Sequence, residues 1–396
     1  MKLIRRENYL KTLLDVYGTS DIKIITGIRR AGKSKLLEMF RDEILMLKPS
    51  VNIIHINFNL AKFNKFANHE KLYEFVSNHY VTGKDNVLLI DEVQMCENFE
   101  LVINWLHSEE KYDIYITGSN AFLLSSDLAT LFTGRIFSVE VFPFSFREFM
   151  QYFEYEDADK AFNLYLEQSG MAGSYAYPES RRQSYIRDVI KTLIVRDLVD
   201  KYAIKNQGLL ERLLDFAIDN IGNLISSNTV ANFLNVNSET TNHVTIGKYL
   251  GYLVNAFAFY KVRRYDIRGK KYLASNDKYY LADHGFRKAR LGTKNLDYGR
   301  VLENIVAIEL LRRGYEIYVG MLYQTEIDFV AKKGDEQIYI QVAYNIDYEE
   351  TLLRELTPLL KIRDAFPKMI VARTHQPTYT REGVTIVDVA NWLEEK

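Results

Sequence analysis

Eight consecutive residues constrain this chain more than any others: Gly27, Ile28, Arg29, Arg30, Ala31, Gly32, Lys33 and Ser34. They follow a short β-branched run, IKIIT (residues 22–26). They precede KSKLLEMFRDEILML, in which Leu36, Leu37, Phe40 and Ile44 recur at helical spacing. A strand, a glycine-bearing turn and a helix are predicted in that order. Gly-x4-Gly-Lys-Ser is the spacing of a phosphate-binding loop. Its glycines let the backbone wrap close to phosphate oxygens. Successive N–H groups then converge at a helix N-terminus, whose dipole favours anions. The pattern predicts ATP binding at residues 27–34, with Lys33 reaching the β- and γ-phosphates and Ser34 ligating Mg²⁺.

Three further apolar runs follow. VNIIHINF ends near Phe58, NVLLI leads into Asp91, and DIYITG ends at Gly118, with helical patterns between them. Strands alternating with helices predict a mostly parallel sheet covered on both faces. A strand ending in Asp91 and Glu92 carries both acids to the carboxyl edge of such a sheet, where ligands bind. Asp91 would hold Mg²⁺, directly or through water, and Glu92 would take a proton from the attacking water. Ser119 or Asn120, after the fourth strand, would sit beside the γ-phosphate and orient that water. Capping a helix is their alternative role. Arg135 has two readings as well. It could stabilise transition-state charge, from its own chain or a neighbouring subunit, or serve in a structural ion pair.

The pattern changes after Pro143. Residues 145–205 read as several helices. Residues 207–235 read as two helices with a break at residues 222–227, and a third helix spans about 238–257. KVRRYDIRGKKYLASNDKYYLAD then reads as two alternating strands around Gly269. Three helices and a hairpin make a winged-helix pattern. The hairpin carries Lys261, Arg263, Arg264, Arg268, Lys270 and Lys271 against Asp266, six positive charges and one negative in eleven residues. Such a hairpin could lie along the phosphates of double-stranded DNA. The third helix would then enter the major groove with Thr240, Thr241, Asn242, His243 and Lys248. A solvated hairpin, a wing packed on the core and a protein-binding module are the alternatives. From residue 296 a helix, three strands, a helix and two strands follow.

Composition limits the partners. The net charge is −1, so no global field draws the chain to nucleic acid or membrane, and any DNA contact must be local. The single cysteine, Cys96, cannot form an internal disulfide and is too few for a cysteine-based zinc site. The charged N-terminal stretch does not read as a signal peptide, and no run of about 18 apolar residues is present. A cytoplasmic protein with no membrane partner is expected.

GIRRAGKS, LLIDEVQ, ITGSNAFLLSSDLATLFTGR, VFPFSFREF, KYYLADHGFR, LENIVAIELLRRGYEIYVG, EIDFV and YIQVAY, in this order, resemble a known family. It is the archaeal and bacterial AAA-type ATPases that carry a C-terminal DUF4143 region. The resemblance implies an AAA+/STAND-related core at residues 1–150, a helical lid at 151–205, a winged helix at 206–290 and a PD-(D/E)xK nuclease-like unit at 291–396. It places Ser119 or Asn120 at a sensor 1 position. Members often carry a Gly-Gly-x-Pro-like turn in the lid; here Ser169, Gly170, Met171 and Ala172 stand there without the proline. Glu303 and Asp328 match the first nuclease acids, but Gln341 and Ala343 stand where Glu-x-Lys is required. Lys332 and Lys333 lie toward the hairpin end, and Glu326 reads as a surface acid. The nuclease-like site is therefore expected to be vestigial, its fold kept for binding or assembly. The whole implies an ATP-driven switch or motor, with homo-oligomers as one possible assembly. A nucleotide-gated scaffold and an ATP-regulated nuclease are the competing readings.

Overall fold

The computed structural model describes residues 2–118, 132, 134–236, 241–273, 276–293 and 297–395. The chain divides into two compact units. One holds Leu3–Pro143 with Asn255–Phe257; the other holds Phe144–Val254 and Ala258–Lys396 with the first two residues.

The first unit is a five-stranded sheet in the order β2-β3-β4-β1-β5: β1 Ile22–Thr26, β2 Asn52–Asn57, β3 Asn86–Asp91, β4 Asp113–Thr117 and β5 Ile136–Glu140. All its pairings are parallel. Parallel strands need covered faces, and their near-continuous apolar sequences reflect it. Ile22, Ile24, Ile54, Ile56, Leu88, Ile90, Ile114 and Ile116 form one face. They pack on Leu72 and Val76 of the helix His69–Asn78 and on Val102, Ile103 and Leu106 of the helix Phe99–Ser108. Each such side chain contributes roughly 1.5–3 kcal/mol on burial. The helix Lys33–Leu47 buries Leu36, Leu37 and Phe40, and the Phe40 ring lies 4.4 Å from that of Tyr115 on β4. The strand β5 was not predicted.

The second unit begins with the helices Phe146–Phe153, Ala158–Glu167 and Glu179–Thr192, the first closed by a capping box between Ser145 and Glu148. The helices Gln207–Asp219, Ser227–Val236 and His243–Asn255 follow. They stand beside a three-stranded antiparallel sheet of β6 (Leu224–Ile225), β7 (Phe259–Val262) and β10 (Asp277–Leu281), with β10 central. After the helix Tyr298–Arg312 comes an eight-stranded sheet in the order β15-β16-β14-β13-β12-β11-β8-β9. Its strands are β8 Arg264–Asp266, β9 Lys271–Tyr272, β11 Glu316–Leu322, β12 Thr325–Lys333, β13 Glu336–Ala343, β14 Lys368–Ala372, β15 Tyr379–Arg381 and β16 Val384–Asp388. The helix Glu349–Leu360 covers one face.

One prediction needs correction here. Residues 261–283 do not form a single hairpin. Two strands do pair antiparallel around Gly269, but they are the short β8 and β9, with Tyr265 opposite Tyr272; β7 and β10 pair in the small sheet, and between them the chain leaves it. β8 joins the large sheet parallel to β11, with Tyr265 opposite Gly320. The cause is hydrophobic: Tyr265 and Ile267 are buried with Leu322, Ile327 and Val330. Gly320 makes room for them, since a Cβ there would lie 3.0 Å from Ile267 Cδ1 and 2.8 Å from Val330 Cγ2.

Candidate functional site

The loop after β1 turns through Gly27 and Gly32, both at positive φ (129° and 100°). At Gly27 the chain also passes close to its neighbour: a Cβ there would stand 2.1 Å from the Val141 carbonyl oxygen. Ile28 and Ala31 are buried, Arg29 is half-buried, and Arg30 is exposed at φ 68°. The Arg6 guanidinium, itself buried, donates to the carbonyls of Ala31 (3.1 Å) and Phe142 (3.0 Å) and so braces the loop from the N-terminal segment. Lys33 is buried and donates to the carbonyls of Gly27 (2.7 Å) and Ile28 (3.2 Å). Its ammonium thus rests inside the turn of the loop.

Sheet order brings the other groups to this loop. β4 lies between β1 and β3, so the end of β4 separates the loop from the acids at the end of β3. Ser34 Oγ donates to Asp91 Oδ1 at 3.0 Å, and Thr117 Oγ1 donates to the same oxygen. Thr117 Oγ1 also accepts from the Glu92 N–H (3.2 Å). Glu92 sits in the left-handed region, φ 59°, and its Oε2 accepts from Gln94 Nε2 at 2.7 Å. Asp91 is 1% exposed, and its second oxygen, Oδ2, has no hydrogen-bond partner among the described residues. Burial raises its carboxyl pKa, the bonds from Thr117 and Ser34 oppose that, and the charge of Glu92 adds to it. A dry carboxylate with one oxygen unspent, bonded to a loop serine, fits a Mg²⁺ ion held by Asp91 and Ser34.

The sequence did not single out Thr117, Gln94 or Arg6. Thr117 stood one residue before the glycine that marked the end of β4. Ser119 and Asn120 lie outside the described residues. Of the readings of Arg135, the structure speaks to one, action on the nucleotide of its own copy. β5 runs parallel to β1 with Ile136 opposite Ile22, and Arg135 precedes it, exposed at the amino edge of the sheet. The loop lies beyond the other end of the five-residue β1, about 13 Å along the strand. Within one copy, Arg135 does not reach a phosphate held at residues 27–34.

In the second unit the turn at residues 169–172 is locked to its own surroundings. Ser169 Oγ donates to Asp283 Oδ1 (2.6 Å) and accepts from the Met171 N–H (3.0 Å). Gly285 makes this docking possible, since a Cβ there would meet Ser169 Cβ at 2.4 Å. Glu303, on the helix Tyr298–Arg312, pairs with Lys278 of β10 at 2.9 Å, and Asp328, on β12, is near enough for the charges of both to act on it. Glu326, its side chain 35% exposed, also pairs with Lys278, 2.8 Å from its Nζ. Gln341 Oε1 accepts from the Asp328 N–H (2.7 Å), and its Nε2 donates to Glu355 (3.2 Å). Ala343 is buried at the end of β13. Of the basic residues, Lys261, Arg263, Arg268, Lys270 and Lys271 are exposed and Arg264 is half-buried. Lys261 pairs with Asp277 at 2.8 Å, and Arg268 donates to the Tyr323 hydroxyl at 3.0 Å. Asn242, His243 and Lys248 are exposed and Thr241 half-buried; Thr240 lies outside the described residues. Among the described residues no helix is long and apolar enough to cross a membrane.

Comparison with known proteins gives three family matches along the chain. Residues 19–150 match an AAA domain, residues 159–297 a domain of unknown function, DUF8612, and residues 298–392 another, DUF4143. A Haemophilus influenzae relative, called an uncharacterized protein, is 36% identical over 397 residues, covering 99% of this chain and 98% of its own. A Methanocaldococcus jannaschii protein, also called uncharacterized, is 27% identical and spans 99% of this chain and 89% of its own. Among solved structures, the AMPPCP-bound DnaA of Aquifex aeolicus matches at 19% identity and a TM-score of 0.32, over 64% of this chain and 89% of that one. A likeness that slight carries no conclusion. The identity with the Haemophilus influenzae protein runs the full length of both chains, and the present protein belongs to the same family, in which an N-terminal AAA-type P-loop ATPase domain is joined to a C-terminal DUF4143 domain.

Proposed function

We propose that the protein is a Mg²⁺-dependent ATP-binding and ATP-hydrolysing switch whose C-terminal domains couple the nucleotide cycle to DNA or to a protein partner. One observation carries this reading: Ser34, Asp91 and Thr117 form a single bonded network beneath the loop, with the Asp91 Oδ2 atom unspent. Residues 27–34 cradle the phosphates with their N–H groups. Lys33 leaves the carbonyls of Gly27 and Ile28 and turns to the β- and γ-phosphates. Ser34 and Asp91 hold the metal, which when bound neutralises charge on the phosphate oxygens. Glu92, at the end of the same strand, accepts a proton from the attacking water. Gln94 and Thr117 fix its carboxylate and its backbone. Ser119 or Asn120 supplies the further polar contact to the γ-phosphate, and Arg135 acts on the site of a neighbouring copy in a homo-oligomer.

The rest of the chain supplies the readout. In this reading residues 1–150 are the ATPase core and 151–205 the lid. Residues 206–290 are a winged helix, supported by the helix, β6, two helices, β7 and β10 in that order. Residues 291–396 are a nuclease-like unit without activity, since Gln341 is bonded at both ends and Ala343 brings no amine. The exposed Arg263, Arg268, Lys270 and Lys271 suit a phosphate backbone, and a cytoplasmic setting fits the lone thiol.

Steady-state phosphate release, with and without duplex DNA, tests the proposal. Lys33→Ala should weaken ATP binding. Glu92→Gln should keep binding and lose turnover. No turnover of the parent under any condition would leave the nucleotide-gated scaffold, and turnover at the parent rate in Glu92→Gln would remove Glu92 as the base.

A further inference from the structure

Lys278 is the least explained group in the second unit. It lies on the central strand of the small sheet, and its side chain is 4% exposed. A lone ammonium does not stay buried; it is paired or it loses its proton. Lys278 is paired. Its Nζ lies 2.9 Å from Glu303 Oε1 and 2.8 Å from Glu326 Oε1. Burial pulls its pKa down, but Glu303, Asp328 and Glu326 together overcome burial and hold it above the ordinary value.

Several surrounding bonds join β10 to the helix Tyr298–Arg312. Tyr280, two residues along β10 on the same face, donates to Glu303 Oε1 at 2.6 Å. Asn304 accepts from the Leu281 N–H (2.6 Å) and donates to the Leu281 carbonyl (2.9 Å), which fastens the end of β10 to the helix Tyr298–Arg312. Gly222 brings the backbone over Glu303; a Cβ there would stand 3.1 Å from Glu303 Oε2. On the far side, Asp328 Oδ2 accepts from the Val342 N–H at 2.8 Å, and the Gln341 oxygen is spent on the Asp328 N–H.

We propose that Lys278 is a resident cation: it occupies the place that a divalent metal would take among Glu303, Glu326 and Asp328, closes that pocket to metal, and ties the small sheet to the eight-stranded sheet. The lysine comes from a strand outside the sheet that carries Asp328 and Gln341, so it is not a displaced copy of the residue missing at Ala343. Its ion pair with Glu326 on β12 joins the two sheets directly, and its pair with Glu303, with the Asn304 bonds, fastens β10 to the helix Tyr298–Arg312. This inference is independent of the ATPase reading. It rests on the nuclease-like reading only for the statement that a metal once belonged there.

The test uses the full chain without nucleotide and terbium as the probe, read by tyrosine-sensitised luminescence, since Tyr280 touches Glu303. The parent and Asp328→Asn should give the same terbium titration. Lys278→Ala, with three carboxyl groups left uncompensated, should gain a site about tenfold tighter or better, close to 1.4 kcal/mol. That gain should vanish in Lys278→Ala combined with Asp328→Asn, and Lys278→Arg should stay closed. Ca²⁺ should raise the melting temperature of Lys278→Ala and not that of the parent. Terbium binding by the parent that Asp328→Asn removes would overturn the proposal. So would a Lys278→Ala protein that folds and gains no site. Should Lys278→Ala fail to fold, Lys278→Met gives the same reading with the length of the side chain kept.

Discussion

Thr117 is one hydroxyl with two tasks. It donates to Asp91 Oδ1 and accepts from the Glu92 N–H, so Thr117→Val removes both bonds while nearly keeping the volume. A hydrogen bond to a buried charged group is worth roughly 1.5–3 kcal/mol, and an orphaned N–H costs about 1–3 kcal/mol. Two effects reduce the sum. Ser34 still donates to Asp91, and Asp91, whose pKa burial already raises, can take up a proton. A loss of about 2–4 kcal/mol remains. For a unit of this size that is a fall of roughly 5–15 °C in melting temperature. Because the same hydroxyl fixes the backbone of Glu92, turnover should fall about tenfold to a hundredfold, 1.4–2.8 kcal/mol in barrier, with nucleotide affinity much less affected. Thr117→Ser keeps the hydroxyl and should restore both. Scanning calorimetry and phosphate release on the three proteins decide it. A Thr117→Val protein that melts with the parent would refute the network. A Thr117→Ser protein that stays impaired would show that the methyl group, not the hydroxyl, matters.

Two other outcomes follow from the same site. Gly27→Ala adds a Cβ 2.1 Å from the Val141 carbonyl oxygen and 2.9 Å from its carbon, at φ 129°. Both obstacles are backbone, so the loop must shift; a loss of about 1–3 kcal/mol from strain alone and a loss of fluorescent-ATP binding are expected. The second concerns pH. The Asp91 pKa in the folded, nucleotide-free protein lies above the ordinary 3.8. As pH rises through the window above 3.8, the unfolded chain releases its proton first, so the folded state loses stability there and levels off above the folded pKa. In Asp91→Asn that segment should be absent. The urea midpoint of Asp91→Asn minus that of the parent should therefore grow with pH from about 4 and then flatten; a difference that shrinks with pH would contradict the burial argument.

What could be read in the sequence was local. The loop at residues 27–34 is contiguous, and β1 to β4 are short apolar runs, so each announced itself at its own position. Thr117 did not, because its role depends on β4 being inserted between β1 and β3, and strand order is not written in any one segment. The readings of Arg135 stayed open for a related reason. β5 went unread, and only its parallel pairing with β1 puts Arg135 at the amino edge, away from the loop of its own copy. The stretch at residues 261–283 alternates as a hairpin should, but alternation does not say which sheet receives each residue. Tyr265 and Ile267 were claimed by the larger core. Lys278, Glu303 and Glu326 come from three segments, and no spacing rule joins them.

The two units treat buried carboxylates in opposite ways, and the contrast bears on where chemistry can occur. A buried carboxylate needs a positive partner or a proton. In the first unit Asp91 has hydroxyl donors but no ammonium among its hydrogen-bond partners in the described residues. Lys33, the near cation, is engaged with loop carbonyls it can leave. The charge there is left for something exchangeable to supply, as the proposed ATP cycle requires. In the second unit the positive charge is covalently part of the chain, delivered by Lys278 and held by Glu303 and Glu326. Exchange there would mean breaking the buried Lys278–Glu303 pair and the half-exposed Lys278–Glu326 pair, a cost of roughly 3–5 kcal/mol for the buried one. The same electrostatic need therefore leaves the Asp91 carboxylate open to an exchangeable cation, whereas Glu303 and Glu326 already have one within the chain.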